Sequence, residues 1–513
     1  MAGHSRRFKK AGFDLPKFLI DIGGRTMLEH VVDMFNENDK FYFIINETQN
    51  KQNSDLVQWL TSITKRCEVI VIPEHELGPV YSCLSIESID KSEPVIVTYC
   101  DFLVKWNYSA FLRDVVGYEA AIPAFRGFHP ASYGHTKYAY MRVNENQEML
   151  ELREKESFTE NRAEEYASAG IYYFQTWSYF RNYAEKILEI GFGNLNEAYV
   201  SLLSNLIVQD GGKILVTEVN KFICLGTPED LAQYIYWSDF FRIEIKNISK
   251  SLSEPFFKNS VNLVPSAGRG SRFVTESYRV NKPLIQVGKV PMFLYSSFSL
   301  PVASRWIFLF REEVVKKNGN LSLLIEENFN SSCLIPVIGD TSGQAATCLL
   351  AENELSGDET LLIASCDYIT IWDENKFNQL ISDETIDIVI FTYRPGSMLM
   401  KAPEAFAWCE TDNSGMRVQR VAEKMVISDN PGLDPLLIGT FWFRQSKDFI
   451  DAAKNAINNG IAVNGEHYIG NSLNYSIECG KKVLIYDVQK WVSLGDPFEL
   501  ETYYYWEDYF NQA

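Results

Sequence analysis

One short loop occurs twice in this chain. "AGRGSRF", residues 267 to 273, follows the apolar run "VNLVP" and precedes "NKPLIQVG"; "AGHSRRF", residues 2 to 8, precedes "LPKFLIDIGG". Laid over each other, the two segments pair Gly3 with Gly268, Arg7 with Arg272, Lys17 with Lys282, Gly23 with Gly288 and Met27 with Met292, all at one spacing. Further along, Asp101 in "VTYCDF" pairs with Asp367 in "IASCDY", and Lys155 in "LREKESF" with Lys424 in "VAEKMVI". Gly170 in "AGIYYF" pairs with Gly439 in "IGTFWF", and Gly226 in "FICLGTPEDL" with Gly495 in "WVSLGDPFEL". The spacing widens by only a few residues along the way, as short loop insertions would make it. Ordered matches at near-constant spacing mean one structural unit written twice. The chain therefore reads as two domains, 1–245 and 246–513, with the seam in "KNISKSLSEPFFKNS" (246–260), which has no counterpart in the first copy.

Each copy alternates strand and helix signals. "FYFIIN", "EVIVI", "PVIVTYC" and "IYYF" in the first, and "VNLVP", "RWIFLF", "CLIPVI", "TLLIAS" and "IDIVIF" in the second, are short runs of β-branched and aromatic residues. Helix-length stretches such as 27–37, 52–66 and 79–89 separate those of the first copy. Buried strands alternating with helices predict an α/β fold: two tandem Rossmann-like domains with mainly parallel sheets and helices on both faces. The first copy begins at the loop, with nothing before it to match "VNLVP". It is expected to lack its first strand, with Met1 an internal methionine and the true start upstream.

The formal net charge of −19 argues against nonspecific nucleic-acid binding, which needs a basic footprint. A phosphate-bearing small molecule needs only a few local cations and backbone N–H groups. No apolar run reaches the roughly 18 residues of a membrane span, and no secretory h-region follows the basic residues Arg6, Arg7, Lys9 and Lys10. The nine scattered cysteines have no zinc spacing and read as reduced core thiols. Together these predict a cytoplasmic protein with no membrane or nucleic-acid partner.

A glycine-rich turn from a first strand into a helix presents N–H groups to phosphate. Gly268 and Gly270 let the backbone approach, Arg272 adds charge, and Lys282 adds a second cation. This set suits a nucleoside triphosphate attacked at its α-phosphate. Neither copy has the GxxxxGK[ST] of a Walker loop, and Phe273 stands where the third glycine of GxGxxG belongs.

With the loop, the Lys motif, the strand-end Asp, the Glu-Lys pair and the closing "GTPEDL" in order, the chain resembles the nucleotidyltransferase family of sugar-nucleotide pyrophosphorylases, twice over. The resemblance implies transfer of a nucleotidyl group from an NTP to a sugar 1-phosphate or similar phosphomonoester, releasing pyrophosphate, in the service of capsule or surface-glycan synthesis. It implies that Arg7, Lys17, Arg272 and Lys282 act on the triphosphate, that Gly3, Gly78, Gly268, Gly270 and Gly343 lie against the nucleotide, and that Asp101 and Asp367 hold Mg²⁺. Glu154, Lys155, Glu197, Glu423, Lys424 and Glu466 would bind the acceptor. Many relatives carry a further metal-binding Asp where this chain has Cys224 and Ser493, so the metal site is either reduced or completed differently. A second reading makes one copy catalytic and the other a nucleotide-binding regulatory or scaffold domain. The nucleobase, the acceptor and the oligomeric state stay open. For "GTPEDL" and "GDPFEL" a structural role is favoured: Thr227 and Asp496 suit helix N-caps, and Pro228 and Pro497 suit the first helical position. The aromatic tails "YIYWSDFF" and "YYYWEDYF" read as packing helices.

Overall fold

The computed structural model describes residues 1–247, 257–396 and 402–511. The expected seam therefore falls largely outside the described residues. The chain divides into two units, Met1–Ser238 and Asp239–Ala513. The division lies within the helix Pro228–Asn247.

In the second unit, seven strands follow one another across a sheet in the order Ser332–Val337, Ala303–Arg311, Phe257–Ser266, Thr360–Ala364, Leu436–Phe443, Ile388–Tyr393 and Val483–Asp487. Side chains alternate along each strand and so feed two cores. Val264, Phe308, Phe310, Leu362 and Ala364 face the helices Met292–Phe298, Leu321–Asn328 and Glu374–Ile381. Leu263, Ile307, Leu309, Leu361 and Ile363 face the helices Gln344–Leu349, Ser446–Asn458 and Ile469–Glu478. Burial on both faces is why these strands read as unbroken apolar runs.

Six of these seven strands run the same way, as in a mainly parallel sheet, and one departs from it. Leu436–Phe443 runs antiparallel between Thr360–Ala364 and Ile388–Tyr393. In the first unit Ile171–Phe174 does the same between Val95–Thr98 and Ala120–Phe125. Both sheets are mixed. The runs "IYYF" and "LIGTFWF" have the right composition for buried strands, but composition carries no direction.

The two sheets differ at one place. In the second unit Phe257–Ser266 pairs parallel with both Ala303–Arg311 and Thr360–Ala364. In the first unit the corresponding strands Phe41–Asn46 and Val95–Thr98 are not bridged. Among the described residues Phe41–Asn46 forms a two-stranded ladder with Cys67–Ile72, and Val95–Thr98 pairs with Ile171–Phe174. Val95–Thr98 is only half-buried, whereas most of Thr360–Ala364 is buried. Backbone groups that a middle strand would satisfy are left to other partners there.

Each unit closes with a short antiparallel ladder beside its strand-end aspartate. Cys224 pairs with Phe102, and Ser493 with Tyr368. The helices that follow, Pro228–Asn247 and Pro497–Asn511, start as the sequence indicates. The Thr227 hydroxyl accepts from the Asp230 N–H at 3.1 Å, and Asp496 Oδ1 accepts from the Glu499 N–H at 2.9 Å. Both helices bury aromatic residues, among them Trp237 and Phe240 in one and Tyr503 and Trp506 in the other. Cys83, Cys100, Cys224, Cys348, Cys366 and Cys409 are buried free thiols.

Candidate phosphate and acceptor sites

The two loops have the same backbone. Ser5 sits at φ 51°, ψ 33° and Gly270 at φ 61°, ψ 34°, both left-handed, each starting a short helix. The loop therefore does not bend differently to suit Ser5. A side chain there costs about 1 kcal/mol, and the Ser5 hydroxyl is used: it accepts from the Lys17 N–H at 3.2 Å. In the other loop a Cβ on Gly270 would stand 3.0 Å from that of Lys282. A Cβ on Gly3 or Gly268 would meet nothing within 4 Å.

Lys17 Nζ donates to Asp101 Oδ2 at 2.6 Å, and Lys282 Nζ donates to Asp367 Oδ2 at 2.5 Å and to the Gly495 carbonyl at 2.9 Å. Burial alone would lower the lysine pKa values; the facing aspartates outweigh it and hold both ammoniums above the usual range. Burial would likewise raise Asp101, but Lys17 outweighs it and holds the carboxyl low. Arg7 lies close enough to act on both Lys17 and Asp101, and Arg272 close enough to act on Lys282. Each unit thus brings its Arg, Lys and Asp to one place. The closing motif pins that place: the Leu225 N–H bonds the Asp101 carbonyl at 2.9 Å and the Leu494 N–H bonds that of Asp367 at 2.8 Å.

The closing motif also brings two carboxylates, Asp230 and Glu499, to which the sequence assigns only a structural role in the first helical turn. Cys224 Sγ donates to Asp230 Oδ2 at 3.2 Å, and Ser493 Oγ donates to Glu499 Oε2 at 2.6 Å. Burial first, then Asp496, pushes Glu499 up to about 7. A Cβ on Gly495 would stand 3.3 Å from Glu499 Oε2, 3.4 Å from Asp367 Oδ2 and 3.4 Å from Ser493 Oγ, so three oxygens border one small space. Among the described residues no group of three or more His, Cys, Asp or Glu side chains is arranged to hold a metal ion. Two carboxylates still fit a hard cation such as Mg²⁺, which keeps waters and takes phosphate oxygens. The signal was in the repeat: Asp230 and Glu499 stand at matching positions.

Glu154 and Glu423 end the strands Met149–Glu154 and Val418–Glu423. The next residues, Lys155 at φ 60° and Lys424 at φ 53°, are both left-handed, a strained geometry kept in both units. The Lys155 ammonium lies 4.3 Å from the centre of the Tyr199 ring and bonds its hydroxyl; that of Lys424 lies 4.8 Å from the ring of Tyr468. These tyrosines also occupy matching positions that the sequence analysis did not single out. Glu197 lies near enough to His75 to raise its pKa, against the larger lowering by burial and His4, and Glu466 accepts from the Tyr468 hydroxyl.

The two glutamates of these pairs differ in surroundings. Glu154 accepts from Ser201 Oγ. Gly470 stands at the matching position, and Glu423 has no such donor there. Burial pushes Glu423 up to about 7, with Lys424 pulling the other way. Glu154 is also raised by burial, with Ser201 opposing.

Gly78 and Gly343 have a packing role in the ligand-free chain. At φ 93° and 122° they start short helices. A Cβ on Gly78 would stand 2.7 Å from the Ala198 nitrogen, and one on Gly343 2.5 Å from that of His467. Backbone bonds strap each loop to that neighbour: Ala198 to Leu77 at 2.9 Å, and His467 to Ser342 at 2.7 Å. Only glycine permits this approach.

Residues 1–163, which carry the first loop with Arg7, Lys17 and Asp101, match the family model described as the MobA-like NTP transferase domain. Among particular relatives, the chain is 23% identical over 243 residues to the "Bifunctional protein GlmU" of Methanococcus maripaludis strain C5, a match covering 46% of this chain and 49% of that one. The chain thus spans about half the length of that relative. Of solved structures, the nucleoside-diphosphate-sugar pyrophosphorylase from Vibrio cholerae RC9 is 19% identical with a TM-score of 0.40, covering 47% of this chain and 98% of its own. A UDP-glucose pyrophosphorylase complexed with UDP-glucose is 14% identical with a TM-score of 0.39, covering 50% and 100%. Among the described residues no helix is long and apolar enough to cross a membrane.

Proposed function

We propose that the chain is a tandem nucleotidyltransferase that joins an NTP to a sugar 1-phosphate or similar phosphomonoester and releases pyrophosphate, a cytoplasmic step supplying capsule or surface-glycan assembly. The observation that carries this reading is the repeated meeting of a loop arginine, a lysine and a strand-end aspartate, Arg7, Lys17 and Asp101 in one unit and Arg272, Lys282 and Asp367 in the other.

The chemistry brings two anions together while a third leaves. An oxygen of the acceptor phosphate attacks the α-phosphorus, and the bond to the pyrophosphate oxygen breaks. Such a reaction needs positioning and positive charge rather than a protein nucleophile. Loop N–H groups and the arginine take the triphosphate; the lysine moves from its aspartate to phosphate oxygens. Asp101 and Asp367 would hold Mg²⁺, with Glu499 bordering the same space as Asp367 in the second unit, and the ion when bound would supply charge neutralisation across the phosphates. Lys155 and Lys424 grip the acceptor phosphate from their tyrosine-backed turns, while Glu154, Glu423, Glu197 and Glu466 accept its hydroxyls.

The test is radiolabelled pyrophosphate exchange, with ATP, CTP, GTP and UTP in turn, on the full chain and on Asp101→Ala and Asp367→Ala. Loss of about 10²- to 10³-fold in exchange is expected from each active unit. No exchange with any NTP sinks the reading. Loss with only one of the two supports the second reading, one catalytic unit and one regulatory or scaffold unit. The observation that favours this second reading is the pairing of Arg272 with Asp496 in the second unit.

A further inference from the structure

The two loops carry the same arginine but hold it differently. In the second unit Arg272 NH1 lies 3.2 Å from Asp496 Oδ2. Asp496 thus does two things: Oδ1 caps the helix Pro497–Asn511 and Oδ2 holds the loop arginine. At the matching place in the first unit stands Thr227. Its hydroxyl is spent on the cap, accepting from the Asp230 N–H at 3.1 Å and donating to Asp230 Oδ2 at 2.8 Å. It carries no charge, and among the described residues Arg7 makes no ion pair.

The neighbouring cations follow the same division. In the second unit Arg269 and Arg311 both pair with Asp340, whereas the Lys282–Asp367 pair has its equal in Lys17–Asp101 of the first unit. Arg269 and Asp340 match His4 and His75 of the first unit, where burial first, then the nearby His4, lowers the His75 pKa and no carboxylate stands in place of Asp340. The first loop adds Arg6, Lys9 and Lys10, of which Arg6 is paired, with Glu76. Among the described residues the first loop thus has Arg7 outside any ion pair, while the second has Arg269 and Arg272 each paired with a carboxylate.

We infer that Asp496 sets the triphosphate affinity of the second unit, acting as a carboxylate rival for Arg272, so that the first unit takes the polyphosphate of an NTP more tightly than the second. The inference rests on the reading of these loops as triphosphate sites. A polyphosphate arriving at the second loop must displace Asp496 from Arg272 and then lie beside its charge. Arriving at the first, it meets a guanidinium with no ion pair to break, although Asp101 lies near it. Arg272 is largely exposed, so the rivalry is worth what a surface ion pair is worth, up to about fivefold in affinity, and salt screens it.

The probe is inorganic tripolyphosphate with Mg²⁺, which removes the unknown nucleobase from the measurement. Calorimetric titration of the full chain is run in two backgrounds. Arg7→Ala with Lys17→Ala silences the first unit, and Arg272→Ala with Lys282→Ala silences the second. In the first background, Asp496→Asn and Asp496→Thr are each expected to tighten binding about fivefold at low ionic strength, the gain shrinking as salt rises. Both side chains still cap the helix, so melting temperatures report whether the fold is kept. In the second background, Thr227→Asp is expected to weaken binding about fivefold. Unchanged or weaker binding for both Asp496 variants overturns the inference while leaving the triphosphate reading intact. Absence of tripolyphosphate binding in both backgrounds overturns the triphosphate reading, and the inference with it.

Discussion

Lys282 holds Asp367 with its ammonium 2.5 Å from Oδ2, and the same ammonium reaches the carbonyl of Gly495. The lysine thus ties the loop motif to the strand-end aspartate and the closing motif in one bond set. Both side chains are mostly out of water, at 14% and 26% exposure. Replacing Lys282 with Met should leave Asp367 facing a half-buried site without its partner, at a cost of about 2 to 3 kcal/mol. Urea denaturation reads it. Adding Asp367→Asn to Lys282→Met should recover part of the loss, because the stranded charge is gone; a double variant no better than the single one would show that the pair is not coupled.

Glu423 predicts a pH dependence. Burial raises it to about 7 in the folded chain, above the carboxylate range of the unfolded one. The folded state therefore holds a proton that the unfolded state has released between about pH 4.5 and 7. Its contribution to stability is full below that window and lost as pH rises through it. Thermal melts at pH 5 and pH 8 should show a larger drop for the wild type than for Glu423→Gln, which cannot ionise. Equal drops would mean that Glu423 is ionised in the folded chain throughout.

Gly470→Ser supplies Glu423 with the hydroxyl that Ser201 gives Glu154. The new Cβ would meet Leu437 Cδ1 at 3.0 Å and Glu423 Oε2 at 3.1 Å, so the side chains must give slightly. The carboxyl should titrate lower than in the wild type, as followed by carbon-13 NMR of labelled glutamate. Acceptor phosphates that donate a hydroxyl to Glu423 should then bind more weakly.

Gly343→Ala should destabilise the chain by more than about 2 kcal/mol. The new methyl carbon would lie 2.5 Å from the His467 nitrogen, at a backbone φ of 122° that side chains avoid. By contrast Gly268→Ala, whose Cβ meets nothing within 4 Å, should leave the melting temperature nearly unchanged. Differential scanning calorimetry of the two variants tests the contrast.

Ser5 offers a balance of two small terms. Ser5→Gly relieves a left-handed residue worth about 1 kcal/mol but loses the acceptor for the Lys17 N–H, worth a similar amount. Its stability should change little. Ser5→Ala keeps the strain and loses the bond, and should cost about 1 kcal/mol by chemical denaturation.

The sequence by itself determined that an arginine, a lysine and an aspartate recur in register along the chain, and that strand and helix signals alternate around each set. Those features are legible because apolar runs, caps and repeat spacing are local or strictly periodic: Thr227 and Pro228 announce the start of a helix wherever that helix lies. Only the tertiary structure decided that "IYYF" and "LIGTFWF" run antiparallel within their sheets, that Glu499 borders the same space as Asp367, and that Asp496 reaches Arg272. The physical reason is that strand direction, ladder partners and ion pairs depend on where distant segments of chain meet. Asp496 and Arg272 lie more than 200 residues apart in sequence, and nothing near either one records the other.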